Sequence, residues 1–271
     1  MPLIQTPRGR FFYEERGPKA GPVLFLLHGL TSNHLTWEKV LAPLAEAGFH
    51  LHAFDMRGHG QSDWPASGYS PEDHGKDVEA CAKELGHEKI NVAGHSTGGR
   101  NALVFAGLFP ERTRTLTIID QTLTADPESW KKYKTRYGAY PVPFADEKAL
   151  DDFLRLKFPD DSRRFDYYKS QFSPKPAGRW DFNFSIEGAW ETQRLGREKE
   201  AYSWFFRVEV PILFVKGAQS DYVSLDEAKK IEKLMPQGRG RLAVVDKAEH
   251  AVQRDNPEGL LEVFLPFLKE N

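Results

Sequence analysis

Ile90 to Gly99 reads Ile-Asn-Val-Ala-Gly-His-Ser-Thr-Gly-Gly, and its order of residue types can do chemistry. A short apolar run leads into Gly94-His95-Ser96-Thr97-Gly98, and helical text follows from Thr97. A G-x-S-x-G at a junction of strand and helix has a physical purpose. The sharp turn strains the serine backbone, and only small neighbours avoid a clash beside it. The bend lifts the hydroxyl above the carboxyl edge of a sheet. Free N–H groups at the helix start can receive an oxyanion there. The chemistry this suits is nucleophilic attack on a carbonyl by Ser96. A chance match in a glycine-rich turn is the competing reading, and the position between a buried strand and a helix counts against it.

The elements that must hold this turn are legible around it. Arg10 to Arg16 reads as an early edge strand ending at Gly17-Pro18. Val23 to Leu27 is continuously apolar, as expected of a strand buried on both faces. Helical text from His34 to Ala47 precedes a strand over Phe49 to Phe54. A helix over Pro71 to Leu85, the strand Ile90 to Ala93, a helix over Thr97 to Phe109 and the strand Arg114 to Ile119 follow. Strands alternating with helices imply a parallel sheet wound by right-handed crossovers. The alternation breaks between Gln121 and Phe206. That stretch holds 19 of the chain's 34 aromatic side chains (6 Trp, 9 Tyr and 19 Phe), which predicts an aromatic-rich insertion. It resumes with the strand Ile212 to Val215, a helix over Leu225 to Leu234, the strand Leu242 to Val245 and a last helix over Pro257 to Leu268.

Three motifs in this order resemble the α/β-hydrolase family, and the likeness runs nearly end to end. Leu27-His28-Gly29-Leu30 is similar to the family's oxyanion loop after its third strand. Asp55-Met56-Arg57-Gly58-His59-Gly60-Gln61-Ser62 is similar to its turn after the fourth strand, and Gly94 to Gly98 to its nucleophile elbow. The resemblance implies an α/β fold with a mostly parallel, eight-stranded sheet flanked by helices. Residues 1–120 and 207–271 would form the core, and 121–206 a helical cap inserted after strand 6. It further implies oxyanion donors at the backbone N–H groups of Leu30 and Thr97. His250, on the loop after the last strand, would be the general base. Asp221, just past Ile212 to Val215, would be the carboxylate that holds the tautomer of His250 and stabilises its imidazolium. Asp120 is the rival acid, because some relatives carry it after the preceding strand. Asp246 and Glu249 lie nearer His250 in sequence, but that nearness does not orient a side chain.

Other polar residues read as structural. Arg57 and His59 fix their turn, and His95 packs or hydrogen-bonds beside the serine. His50 and His52 point to one face of a strand, but two histidines do not make a metal site and no third ligand is apparent. Cys81, the one cysteine, cannot form an internal disulfide and reads as a small core residue. With 37 basic and 39 acidic residues the net charge is −2, so there is no global pull toward nucleic acid or anionic lipid. No signal-like or membrane-spanning run is apparent near Met1, which predicts a soluble, cytoplasmic protein.

These readings together predict a serine hydrolase of carboxylic esters. It would act through an acyl-enzyme on a small-molecule substrate, with no cofactor, no metal, no nucleic acid and no membrane. Aromatics such as Trp130, Tyr133, Tyr137, Tyr140, Trp180, Trp190 and Phe205 are candidates for a wall over Ser96, which suggests a small apolar or aromatic ester, although most of these rings are expected to form the cap's own core. The alternatives on the same triad are a carbon–carbon bond hydrolase, a lactonase and a cofactor-free haloperoxidase or perhydrolase. A small-molecule receptor with slow turnover is the alternative of another class. His95 and Ala251 depart from the carbon–carbon hydrolases, which usually carry Asn and Trp there. Leu30-Thr31 departs from the Trp-Pro of the haloperoxidases. A serine nucleophile disfavours the dehalogenase and epoxide hydrolase families that use aspartate.

Overall fold

A computed structural model describes residues 2–271. Ten strands and ten α-helices alternate along most of it. The strands are β1 (Leu3–Thr6), β2 (Gly9–Arg16), β3 (Val23–Leu27), β4 (His50–Phe54), β5 (Ile90–His95), β6 (Thr113–Ile119), β7 (Phe172–Pro174), β8 (Trp180–Phe182), β9 (Ile212–Gly217) and β10 (Gly240–Val245). The helices are α1 (Glu38–Glu46), α2 (Pro71–Glu84), α3 (Thr97–Leu108), α4 (Ser129–Gly138), α5 (Glu147–Lys157), α6 (Ser162–Lys169), α7 (Ile186–Arg197), α8 (Leu225–Leu234), α9 (Val252–Asp255) and α10 (Pro257–Glu270).

Eight strands form one sheet in the order β1-β2-β4-β3-β5-β6-β9-β10. The pairs β1–β2 and β2–β4 are antiparallel and the others parallel. Every residue of β4 and β5 is buried, because helices cover both faces of the parallel region. On one face α2, α3 and α8 pack Val78, Phe105 and Ile231 against Phe25, Val92 and Phe214. On the other, α1 and α10 pack Leu44 and Phe264 against Leu24, Leu26 and Val215. One element departs from expectation. Leu3–Thr6 pairs with β2 through the turn at Pro7-Arg8, so β1, not β2, is the edge strand. Four residues between two prolines are too few to show a period.

Between β6 and β9 the chain forms α4 to α7 and the small antiparallel sheet β7–β8. Tyr137, Tyr140, Phe144, Leu150, Phe172 and Phe182 pack into a separate cluster there, which also takes in Leu30 from the loop after β3. This segment therefore rests on the sheet's carboxyl edge. Its last turn behaves differently, since Tyr202 and Phe205 join the cluster around α3.

Candidate active site

The strand order reverses around β3, with β4 on one side and β5 on the other. In open α/β sheets such a reversal leaves a crevice at the carboxyl ends of the strands, where ligands bind. The loop after β3 and the turn after β5 share that crevice. Ser96 sits in the turn with φ 53° and ψ −126°, a conformation that side-chain-bearing residues rarely adopt. Its N–H donates to Ile119 O at 2.8 Å. The small neighbours are required by contact: a Cβ on Gly94 would lie 2.1 Å from Gly98 O, and one on Gly98 2.4 Å from Leu27 O. Gly29 backs directly onto the turn, where a Cβ would stand 3.1 Å from Ser96 Cβ.

His250 Nε2 is 3.0 Å from Ser96 Oγ, and its Nδ1 is 2.7 Å from Asp120 Oδ2. Asp120 is fully buried and well held. Its Oδ1 accepts the Gly217 N–H at 3.0 Å, its Oδ2 accepts Ser220 Oγ–H at 2.5 Å, and its own N–H donates to Val215 O at 2.7 Å. A carboxylate that bonds Nδ1–H leaves the Nε2 lone pair facing the serine, which is the arrangement a general base needs. The expectation that Asp221 faces His250 is corrected here. β9 runs on to Gly217, and the turn after it aims Ser220 inward, while Asp221 is exposed and bonds to neither His250 nor Ser96. β6 lies between β5 and β9, so a residue directly at its end reaches His250 without a further turn.

Two polar clusters brace the site. His28 Nδ1–H donates to Gly29 O at 2.7 Å while its Nε2 accepts the Met56 N–H at 2.9 Å. Burial, then the neighbouring His59, pushes His28 down to about 3, so it is neutral and fixed in one tautomer. His59 repeats the pattern, donating to Arg57 O and accepting the Thr31 N–H at 3.2 Å, as expected of a residue that fixes its turn. Thr31, at φ 62°, also hydrogen-bonds Tyr137 Oη at 2.8 Å, which links this loop to α4. No protein acceptor takes the N–H of Leu30 or of Thr97 among the described residues. Both sequence-predicted donors thus start helix or turn segments with free N–H groups. His95 is fully interior; its Nε2–H donates to His250 O at 2.8 Å, and burial, then the His250 ring, holds it well below the usual imidazole range. It carries the backbone of His250. Tyr222 also packs against the His250 ring, with centroids 4.3 Å apart. Ser220 and Tyr222 carried no signal of this in sequence, because their turn has no periodic pattern.

Ser96 and His250 open into a cavity of about 480 Å³. Of the aromatics expected over the serine, Tyr133 and Tyr137 line it; Phe158, Tyr167 and Tyr168 join them, whereas Tyr140 and Phe205 are buried in packing clusters instead. The wall is also strongly charged. Lys39, Arg136, Arg163, Arg164 and Arg254 reach it, with Asp161, Asp166, Glu249 and Asp255. Among the described residues, the one grouping of histidines and acids with metal-ligand spacing lies away from this cavity.

Comparison with known proteins agrees with this fold. A family profile described as alpha/beta hydrolase fold matches residues 22–257. The 2-(acetamidomethylene)succinate hydrolase of Mesorhizobium japonicum is 30% identical over 96% of this chain and 92% of its own. An esterase of Mycobacterium tuberculosis is 26% identical over 97% and 88%. A crystal structure of E-2-(acetamidomethylene)succinate hydrolase superposes with a TM-score of 0.86 at 28% identity, covering 99% of this chain and 98% of that one. The enol-lactonase of Burkholderia xenovorans, at 16% identity and a TM-score of 0.81 over 99% and 100%, shares the fold. Among the described residues, no helix is long and apolar enough to cross a membrane. With the sheet order, the strained serine turn and a family match over most of its length, this chain belongs to the α/β-hydrolase fold family.

Proposed function

We propose that this protein is a serine hydrolase that cleaves small carboxylic esters through an acyl-enzyme on Ser96. The observation that carries this reading is the hydrogen-bonded series Ser96 Oγ to His250 Nε2 at 3.0 Å and His250 Nδ1 to Asp120 Oδ2 at 2.7 Å, opening into a cavity. His250 takes the hydroxyl proton as Ser96 Oγ bonds the carbonyl carbon. Asp120 stabilises the imidazolium, and the N–H groups of Leu30 and Thr97 receive the oxyanion, each donor contributing about 3–4 kcal/mol in such sites. Collapse breaks the C–O bond, and the alcohol leaves with the proton from His250. Water, deprotonated by His250, then attacks the acyl carbon and frees the acid and Ser96.

The charges in the cavity refine the expected substrate. A wholly apolar ester would leave Arg136, Arg163 and Arg254, none of which forms an ion pair among the described residues, facing an uncharged ligand. Arg164 is engaged by Asp161 and Glu249. The reading supported best is an ester that carries a carboxylate beyond the scissile group, with tyrosine faces along its body. The relative from Mesorhizobium, named for a derivative of the dicarboxylic acid succinate, supports the same choice.

The test is a panel of p-nitrophenyl esters of rising acyl length, the p-nitrophenyl half-ester of succinate, a lactone and an aryl diketo acid, each with the wild type and Ser96→Ala. Many turnovers on the half-ester, abolished in Ser96→Ala, are expected. Equal rates for the two proteins would remove Ser96 from the mechanism. A single burst without turnover on every substrate would favour the receptor reading.

A further inference from the structure

A second grouping of functional side chains lies at the opposite end of the parallel strands from Ser96. His50 and His52 project from the same face of β4, near its start. The third member, His87, stands in the loop between α2 and β5 and is separated from them by the whole of α2 and the segment before it. Packing brings the three rings together, with centroids 4.5 Å apart for His50 and His52, 5.0 Å for His52 and His87, and 5.6 Å for His50 and His87. One ring nitrogen from each can be chosen so that all three lie within 4.8 Å of one another.

We propose that His50, His52 and His87 bind one divalent transition-metal ion of the zinc class, with Glu15 on β2 orienting His50. Three imidazoles suit a borderline ion such as Zn²⁺ over Mg²⁺ or Ca²⁺, which prefer oxygen. The Nε2 atoms of His52 and His87 are 3.0 Å apart, close to the roughly 3.3 Å between two nitrogens that each lie about 2.0–2.1 Å from a tetrahedral zinc. Glu15 Oε1 is 2.7 Å from His50 Nε2. A carboxylate that accepts this N–H leaves Nδ1 as the lone-pair nitrogen, the usual outer support of a metal-bound histidine. Nδ1 of His50 is buried and without a partner, and so is Nδ1 of His52, among the described residues. Packed imidazoles alone would leave His50 Nδ1 unsatisfied, at a cost that an ion coordinated there removes. His52 and His87 share one ring proton in the arrangement seen, and coordination through both Nε2 atoms requires it to move to the outer nitrogen of one ring. His87 is only half-buried, so an ion can enter from its side.

The site is tested on the full-length, untagged protein after removal of metal by a chelator. Calorimetry with ZnCl₂, metal analysis after dialysis and the visible spectrum with Co²⁺ are compared for the wild type, His87→Asn and Glu15→Gln. One equivalent of Zn²⁺, tetrahedral Co²⁺ bands, loss of both in His87→Asn and an affinity weakened by about 10–100-fold in Glu15→Gln are expected. Both variants retain ester turnover, which shows that they fold and that the ion does not sit on Ser96. Absence of stoichiometric binding to the wild type would overturn the proposal, as would binding unchanged in His87→Asn. Either result would reduce the cluster to packed imidazoles.

Discussion

Asp120 Oδ2 stands 2.7 Å from Nδ1 of His250, 130 residues further along the chain. The carboxylate is fully buried and takes two further hydrogen bonds, from Gly217 N–H and Ser220 Oγ–H, so it is held in place before any ligand arrives. Asp120→Asn removes the charge and can present an N–H to Nδ1, which favours the wrong tautomer. The expected loss in kcat is about 10⁴-fold with KM little changed. Asp221→Asn is expected to leave both unchanged, since that side chain is exposed. Steady-state kinetics on one activated ester compares the two, and a loss confined to Asp221→Asn would return the acid role to the turn after β9.

The serine turn depends on glycines that have no room for a side chain. Gly94→Ala drives a methyl to within 2.1 Å of Gly98 O and 2.5 Å of Gly99 N, both backbone atoms that cannot step aside. We expect a loss of stability of at least about 1–3 kcal/mol, the usual cost of overpacking, together with loss of turnover. Gly138→Ala is the matched control. Nothing lies within 4 Å of its Cβ and it ends α4, so a small gain of up to about 1 kcal/mol is expected. Urea unfolding midpoints read both, and a stable, active Gly94→Ala protein would contradict the account of the turn.

Arg136 lines the cavity and has no carboxylate partner among the described residues. Arg136→Gln keeps hydrogen bonding and removes the charge. On the p-nitrophenyl half-ester of succinate, kcat/KM is expected to fall by about ten- to a hundredfold, in line with the 1.5–3 kcal/mol of a charged hydrogen bond. The neutral acetate ester is expected to change little. Equal effects on the two esters would make Arg136 a structural residue.

Stability is expected to depend on pH through the buried histidines behind the site. His28 is pushed down to about 3 by burial, then by His59; His74 and His95 are held well below the usual range, in both cases by burial first. In the unfolded chain these rings take up a proton near 6.5, while in the folded protein they stay neutral. The unfolded state therefore binds more protons between about 3 and 6.5, and stability falls as the pH drops through that window. Each such ring contributes a slope of up to about 1.4 kcal/mol per pH unit. Urea midpoints measured at falling pH check this. A flat profile below 6.5 would show that these imidazoles are not held neutral.

Much of the architecture was legible in the order of residues, because its causes are local. Continuously apolar runs such as Val23 to Leu27 mark strands covered on both faces, and Gly94, Gly98 and Gly99 mark a turn that no larger residue can make. Ser96, His250 and the loop from His28 to Leu30 followed from those local patterns and from the family likeness. Which carboxylate meets His250 was not local. Asp120 and Asp221 each follow a strand, and the choice depends on the length of β9 and on the turn that aims Ser220, not Asp221, at the site. The same holds for His87, whose approach to His50 and His52 needs the packing of α2 against the sheet, and for the arginines that α4, α6 and α9 turn toward Ser96. Residue patterns determine which segments become strands, helices and tight turns, since those depend on neighbours a few positions away. Distances between segments are set only when the sheet closes and buries its faces, and these decided both the acid and the histidine cluster.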